Sequence, residues 1–348
     1  MRIFKNISLI LLVLFILEGC KELYKPEIST DQSAIVIQGM LTNNPGELEV
    51  TITKAVPYGS DSKGIPIIDC NVTIKDDKGK IYPLTYNRHG KYTNATLYAL
   101  EGETYSLNVV TADGDEFRSD NQTLPPKYKQ DSIYGAKVSI PEFIPDSYGG
   151  YFKSTKQGTE TYVDLSSGST DLPKCLYTSR VTVLYYYVKM GLPPTTIYCW
   201  TTFTPSNEIN LTTSTFDKTQ GIIQKHPLCF FETLLNKYDP RPDVNLSGFL
   251  IAVKKYNLTP GASRYYKAMK EQMEASGKIF DPIPSQVRGN IKCTNNPEKI
   301  VYGLFEVTNI EQLYYRYNSN GTSLTARSGF PEFTDRGETD TAPAFWMN

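Results

Sequence analysis

The chain has 348 residues, 40% of them hydrophobic and 21% charged, with 36 Lys plus Arg against 37 Asp plus Glu. That length supports a sizeable core and suggests two domains, and a formal net charge of -1 lacks the basic footprint of a nucleic-acid partner. Only two histidines, His89 and His226, stand against 25 tyrosines and 22 prolines; this excludes a His-rich metal centre, a polytopic membrane protein and a disordered tail, and points to a β-rich extracytoplasmic chain.

Residues 1–20 read MRIFKNISLILLVLFILEGC. Arg2 and Lys5 give a cationic start, and Ile7 to Leu17 is apolar except for Ser8. The run is about half of what a bilayer span needs, so residues 1–19 are expected to be a signal peptide. Leu17-Glu18-Gly19-Cys20 resembles the bacterial lipobox. The resemblance implies a diacylglycerol thioether on Cys20, cleavage before it and acylation of the new amine. An ordinary secretory signal with an incidental cysteine is the alternative. Several acyl chains on one residue hold stably, since each buried methylene contributes roughly 0.8 kcal/mol. Lys21-Glu22 looks like the Lys-acidic signal that sends Bacteroidetes lipoproteins to the outer leaflet of the outer membrane, the periplasmic leaflet being the other destination.

With Cys20 lipidated, Cys70, Cys175, Cys199, Cys229 and Cys293 remain. An odd number in an oxidising compartment leaves one over. Cys70 is in phase with Val72 and Ile74 and is expected to be the free, buried thiol. The other four could form two bridges by any of three connectivities. No CxxC pair is present, so no zinc site is expected.

Residues 20–33 are polar, contain Pro26, and read as a tether. From Ala34 to residue 125, period-two runs alternate with turn signals: Leu48, Val50 and Ile52; Val72 and Ile74; Tyr92; Tyr105, Leu107 and Val109; Phe117. Short strands at this spacing predict a β-sandwich. The turns Asp76-Asp77-Lys78-Gly79, Gly90-Lys91-Tyr92 and Gly102-Glu103-Thr104-Tyr105 make it resemble the carboxypeptidase-regulatory or transthyretin-like, immunoglobulin-type module. Leu124-Pro125-Pro126 ends it, and a larger β-rich domain fills residues 127–348. Its expected strands are 132–139, 160–165, 177–189, 195–203, 248–257, 300–308 and 313–317, with Gly-, Pro- and Tyr-rich residues 141–158 read as a long loop. One amphipathic helix is expected, capped by Thr259, with Pro260 in its first position, Gly277 closing it, and Ala262, Tyr265, Met269 and Met273 as a stripe packed on a sheet.

The most specific signal follows the helix: Gly277-Lys278-Ile279-Phe280-Asp281-Pro282-Ile283-Pro284, then Arg288-Gly289-Asn290-Ile291, then Gly303-Leu304-Phe305-Glu306-Val307. With Val36-Ile37-Gln38-Gly39 early in the chain, these stretches resemble the DUF4249 family of Bacteroidetes lipoproteins over nearly the whole mature length. The resemblance implies an outer-membrane lipoprotein paired with a TonB-dependent receptor in nutrient or metal-chelate uptake, and it carries over no catalytic residue. Physics reads the same stretches as fold determinants: Phe280 as a core anchor, Pro282 and Pro284 holding an extended run, and Gly289-Asn290 as a tight turn using positive φ.

No GxSxG, HExxH, GxGxxG or P-loop pattern occurs, and no cofactor or metal is called for. His89 and His226 read as surface or loop residues. Asp113/Asp115 and Asp239/Asp243 could pair as glycosidase carboxylates, but Asp76-Asp77 and Asp113-Gly114-Asp115 read as turn chemistry. Tyr185-Tyr186-Tyr187 must face both sides of a strand, which suits sheet packing or protein and sugar contact. Asp131-Ser132-Ile133, in the linker, and Asp340-Thr341-Ala342 resemble the Bacteroidetes O-glycosylation site, making Ser132 and Thr341 candidates. The expected function is a non-enzymatic surface lipoprotein contacting a TonB-dependent receptor or its cargo; an adhesin or envelope-assembly component, and a carbohydrate-active enzyme, are the alternatives.

Overall fold

The computed structural model describes residues 34–56, 64–147, 149–167, 171–206, 208–212, 216–217, 221–233, 241, 243–274, 287–318, 324–327 and 336–342. The signal peptide, Cys20, the tether and the Gly277–Pro284 stretch lie outside these residues. The protein is mainly β. Its principal elements are β1 Ile35–Thr42, β2 Leu48–Lys54, β3 Asn71–Asp76, β4 Lys91–Asn94, β5 Thr104–Val110, β6 Glu116–Ser119, β7 Lys129–Pro145, β8 Tyr151–Ser166, β9 Cys175–Lys189, β10 Thr195–Phe203, β11 Ile222–Glu232, β12 Asn245–Asn257, α1 Pro260–Glu274, β13 Ile291–Cys293, β14 Phe305–Asn318 and β15 Arg336–Thr339. No helix among the described residues is long and apolar enough to cross a membrane.

One sheet runs through the whole molecule in the order β15-β10-β9-β12-β14-β1-β2-β4. Alternation decides its two faces. Phe305 and Val307 at one end of β14, and Tyr315 and Tyr317 at the other, share a parity and point to the same side. Over the first end lies a second sheet, β13-β6-β5-β3, closing a core of Ile37, Leu41, Val50, Ile52, Ile74, Tyr105, Leu107, Phe117 and Phe305. Over the other end lies a third sheet, β7-β8-β11, closing a core of Val163, Leu165, Tyr177, Val183, Ile223, Phe231, Phe249 and Tyr317. Helix α1 covers the opposite face, where Ala262, Tyr265 and Tyr266 meet Leu211, Tyr256, Leu258 and Leu304.

The units of packing therefore differ from a boundary near residue 126. A sandwich built from residues 34–125 alone would leave β1 and β6 with open edges. The distant segment 291–307 fills both: β13 pairs antiparallel with β6, and β14 pairs parallel with β1 through Gly39–Phe305 and Leu41–Val307. The linker is locked to the same seam. Lys255, fully buried, donates to Tyr128 O at 2.7 Å and pairs with Glu311 at 2.5 Å, while Asn257 Nδ2 donates to Asn309 O at 3.2 Å.

Two elements depart from the sequence reading. Residues 141–158 are not a long loop: β7 and β8 pair continuously from Lys129–Ser166 to Pro145–Tyr151, and only the short turn after Pro145 separates them. Prolines and glycines punctuate the arm without ending it, because Pro141 and Pro145 sit on an edge strand where no ladder donor is lost. The α1 stripe also ends early. Thr259 caps the helix, accepting from Ala262 N–H at 3.2 Å, and Ala262 is buried, but Met273 is exposed and Tyr266 takes its share of the packing.

Candidate functional site

The ladder between β8 and β11 slips at Thr161/Tyr162 and again at Val163/Leu165. Within the slipped stretch Lys225 has φ 55°, an uncommon conformation for a side chain with a Cβ. Asp164 holds it there: Oδ1 accepts the Lys225 N–H at 2.7 Å and the Tyr134 hydroxyl at 3.0 Å. The bulge breaks the alternation of β11, so Gln224 and Lys225 both face out and His226 turns in, 5% exposed. This corrects the reading of His226 as a surface or loop residue. His89 is exposed in a turn, as the sequence suggested.

The surroundings of His226 fix its chemistry. Its ring lies 5.4 Å from that of Tyr177, and Nε2 is 2.8 Å from Asn210 Oδ1. The Asn210 amide nitrogen donates to Pro227 O at 2.8 Å and Leu228 O at 3.0 Å, so its oxygen must accept and His226 Nε2 must carry the proton. Nδ1 keeps its lone pair. Burial, with the charge of Lys270 adding to it, pushes the His226 pKa down to about 4, leaving the imidazole neutral near pH 7. The buried Tyr177 hydroxyl has no hydrogen-bond partner among the described residues.

These groups border a cleft of about 790 Å³, walled by Tyr177, Asn210, His226, Leu228 and Phe230, with Lys225, Lys270, Glu160 and Glu208 also lining it. The charges balance, so the cleft has no single-sign field. His226 is oriented by an amide and not by a carboxylate, unlike the base of a nucleophilic triad. The arrangement sets a neutral imidazole and an uncharged, unpartnered hydroxyl side by side in the wall of the cleft. Among the described residues no group of three or more His, Cys, Asp or Glu is placed to hold a metal ion.

A second cavity, of about 610 Å³, lies between α1 and the stretch Arg288–Asn290. Here the signature segments of the sequence meet. Gly39 N–H donates to Leu304 O at 2.9 Å; the Asn290 side chain donates to Phe305 O at 2.8 Å and accepts from Phe305 N–H at 3.0 Å. Gly303, at φ 100°, passes so close to β1 that a Cβ would stand 2.0 Å from Ile37 O, and a Cβ on Gly289 would stand 1.5 Å from Gly303 O. Gly289 is thus required for close backbone approach, and not for the positive φ expected of a turn.

The cysteines proposed for bridges carry free thiols, as does Cys70, which is partly buried against the first core. Geometry separates the four. Cys293 lies in the first core and Cys175, Cys199 and Cys229 in the second. Cys199 pairs across the ladder with Tyr185, ten residues along β9 from Cys175, or about 33 Å at the strand rise. Cys229 lies beside Ser179, four residues or about 13 Å along β9 from Cys175, beyond bridging reach. Ser132 stands in β7 opposite Asp164, beside a bulge, and not in a linker; Thr341 is exposed. Asp76, the last residue of β3, closes the turn that follows it, accepting from Lys80 N–H at 2.8 Å and Tyr82 OH at 3.1 Å. Asp115 is taken up by Lys299, and Asp239 lies outside the described residues. Tyr185 is buried, and Tyr187 donates to Glu338 on β15, the outer strand beyond β10. Tyr177, Asn210 and Lys225 were not singled out by sequence; the apolar run Leu228–Phe231 was the available sign that His226 belongs to a buried strand.

Residues 21–313 match the family model described as a domain of unknown function, DUF4249. No curated protein and no solved structure matches the chain.

Proposed function

The chain belongs to the DUF4249 family, and from that premise we propose that it is a non-enzymatic lipoprotein of the outer membrane, held by acyl chains on Cys20 and facing the cell exterior, that handles a small cargo for a TonB-dependent receptor. The observation that carries the cargo-handling reading is the cleft at β11. A backbone held at an unfavourable φ turns a neutral imidazole inward, beside a buried hydroxyl with no partner of its own. Strain and unmet hydrogen bonding at one place are what a ligand contact would use. The lipobox supports the location, and the Lys21-Glu22 pair supports the outer leaflet.

The test is recovery of the tagged full-length chain from its own membranes in mild detergent. A TonB-dependent receptor should co-purify, and Cys20→Ser should move the protein out of the membrane fraction and abolish that recovery. Absence of any such receptor from the wild-type material would overturn the reading.

A further inference from the structure

Beyond residue 158 the β7–β8 ribbon has support from β11, but Ser139–Pro145 and Tyr151–Gln157 pair with each other alone, apart from one bond from Thr233 N–H to Gln157 O at the base. This arm projects about 20 Å at the strand rise. Its end is apolar on both faces. Directly opposed residues share a face: Phe143 with Lys153 and Pro145 with Tyr151 on one side, Ile144 with Phe152 and Ile140 with Lys156 on the other. Phe143 is 66%, Tyr151 71% and Phe152 52% exposed. A two-stranded ribbon is marginal by itself in water, and aromatic area of this size is ordinarily buried in a contact.

We infer that this arm inserts into a water-accessible recess of a different protein, one with apolar walls on two sides. Three observations select that partner. A flat surface would cover only one face, leaving Phe143 and Tyr151, or Phe152, in water. The hydrocarbon of a bilayer would strand the unpaired backbone groups along both edges of the ribbon, and the arm offers no attraction to anionic lipid, since Glu142 and Asp146 balance Lys153 and Lys156. A second copy adding a strand would meet Pro141 and Pro145, which have no donors, on the outer edge of β7, and on the outer edge of β8 the like charges of Lys153 and Lys156 facing their own copies. Side chains then carry the recognition, with the aromatic pair Phe143 and Tyr151 as its centre. The inference rests on the reading above for the envelope location alone; the cleft plays no part in it.

A photo-crosslinking amino acid placed at position 143 or 151 of the full-length chain, in intact cells, tests it, with position 81 on the first sandwich as an exposed control. Both arm positions should give an adduct with one other protein, roughly tenfold stronger than the control, and the double variant Phe143→Ser, Tyr151→Ser should lose roughly tenfold of that protein in pull-downs while melting as the wild type does. No adduct, an adduct with lipid, an adduct of twice the chain's mass, or undiminished recovery of the partner by the double variant overturns the inference. An adduct with a protein other than a TonB-dependent receptor upholds the arm and refutes the receptor reading. Receptor recovered by the tag without any arm adduct does the reverse.

Discussion

The Tyr266 hydroxyl donates to Glu306 Oε1 at 2.7 Å across the seam between α1 and β14. Glu306 is 2% exposed, placed under the helix because its neighbours Phe305 and Val307 take the core face. Burial pushes its carboxyl up to about 7, with the Tyr266 bond opposing. The folded protein therefore holds a proton that the unfolded chain releases from about pH 4.5, and this group's contribution to stability falls as pH rises from 4.5 to 7. His226 works the other way. Its depressed pKa means the unfolded chain takes up a proton first, so stability is lost as pH falls from 6.5 toward 4. Between those limits the two slopes, each at most about 1.4 kcal/mol per pH unit, oppose one another. Urea midpoints between pH 4.5 and 6.5 should rise with pH in Glu306→Gln and fall with pH in His226→Asn, relative to wild type. Variants that respond in the same direction would contradict this assignment.

The Lys255–Glu311 pair should be unequal in its two halves. The lysine is fully buried, whereas the Glu311 side chain is 31% exposed. Glu311→Gln leaves a buried ammonium with one carbonyl, and should cost about 3–5 kcal/mol. Lys255→Met leaves a carboxylate that water still reaches, and should cost less. Chemical denaturation of both variants gives the comparison; equal losses would show that solvent access at Glu311 does not matter.

Gly289→Ala and Gly303→Ala should each abolish accumulation of the folded protein, because the added methyl meets backbone that cannot yield. Gly79→Ala is the control: φ is 84° there, but nothing lies within 4 Å of a Cβ, so only the left-handed penalty of about 1–2 kcal/mol applies. If all three variants express alike, close approach is not what these glycines provide.

The thiols offer a direct check on the cores. Alkylation under denaturing, non-reducing conditions should label Cys70, Cys175, Cys199, Cys229 and Cys293 alike, and a reductant should leave the melting temperature where it was. Burial raises the thiol pKa of Cys175 to about 12 and of Cys229 to about 11, so neither should react at pH 8 while the protein is folded.

Local pattern carried much of this architecture. Leu48-Val50-Ile52 and Tyr105-Leu107-Val109 announce their buried faces by alternation, Phe249 to Val253 announces a strand covered on both faces by its unbroken apolar run, and Thr259-Pro260 announces the helix start. What sequence order concealed was long-range. Nothing local at Gly39 tells that Phe305 is its neighbour, so local pattern leaves the first two-sheet unit without its final strands. The site was less legible still. His226 precedes a proline and follows two polar residues, and only the bulge held by Asp164, sixty-one residues before Lys225, turns it inward. The β7–β8 arm was hidden by its own prolines, which as a composition signal mean loop and as an edge device mean protection.

The placement of β1 has a mechanical consequence. Its first residue, Ile35, follows the segment that leads back to Cys20, and its ladder is shared on one side with β2 and on the other with β14 and residues 301–302. A pull on the chain at residue 34 along the strand loads two ladders in shear at once, not bond by bond as peeling an outer strand would. Such a strand resists tension from its leading end, so under the anchor proposed at Cys20 drag on the folded body is spread over the great sheet before β1 parts from its neighbours.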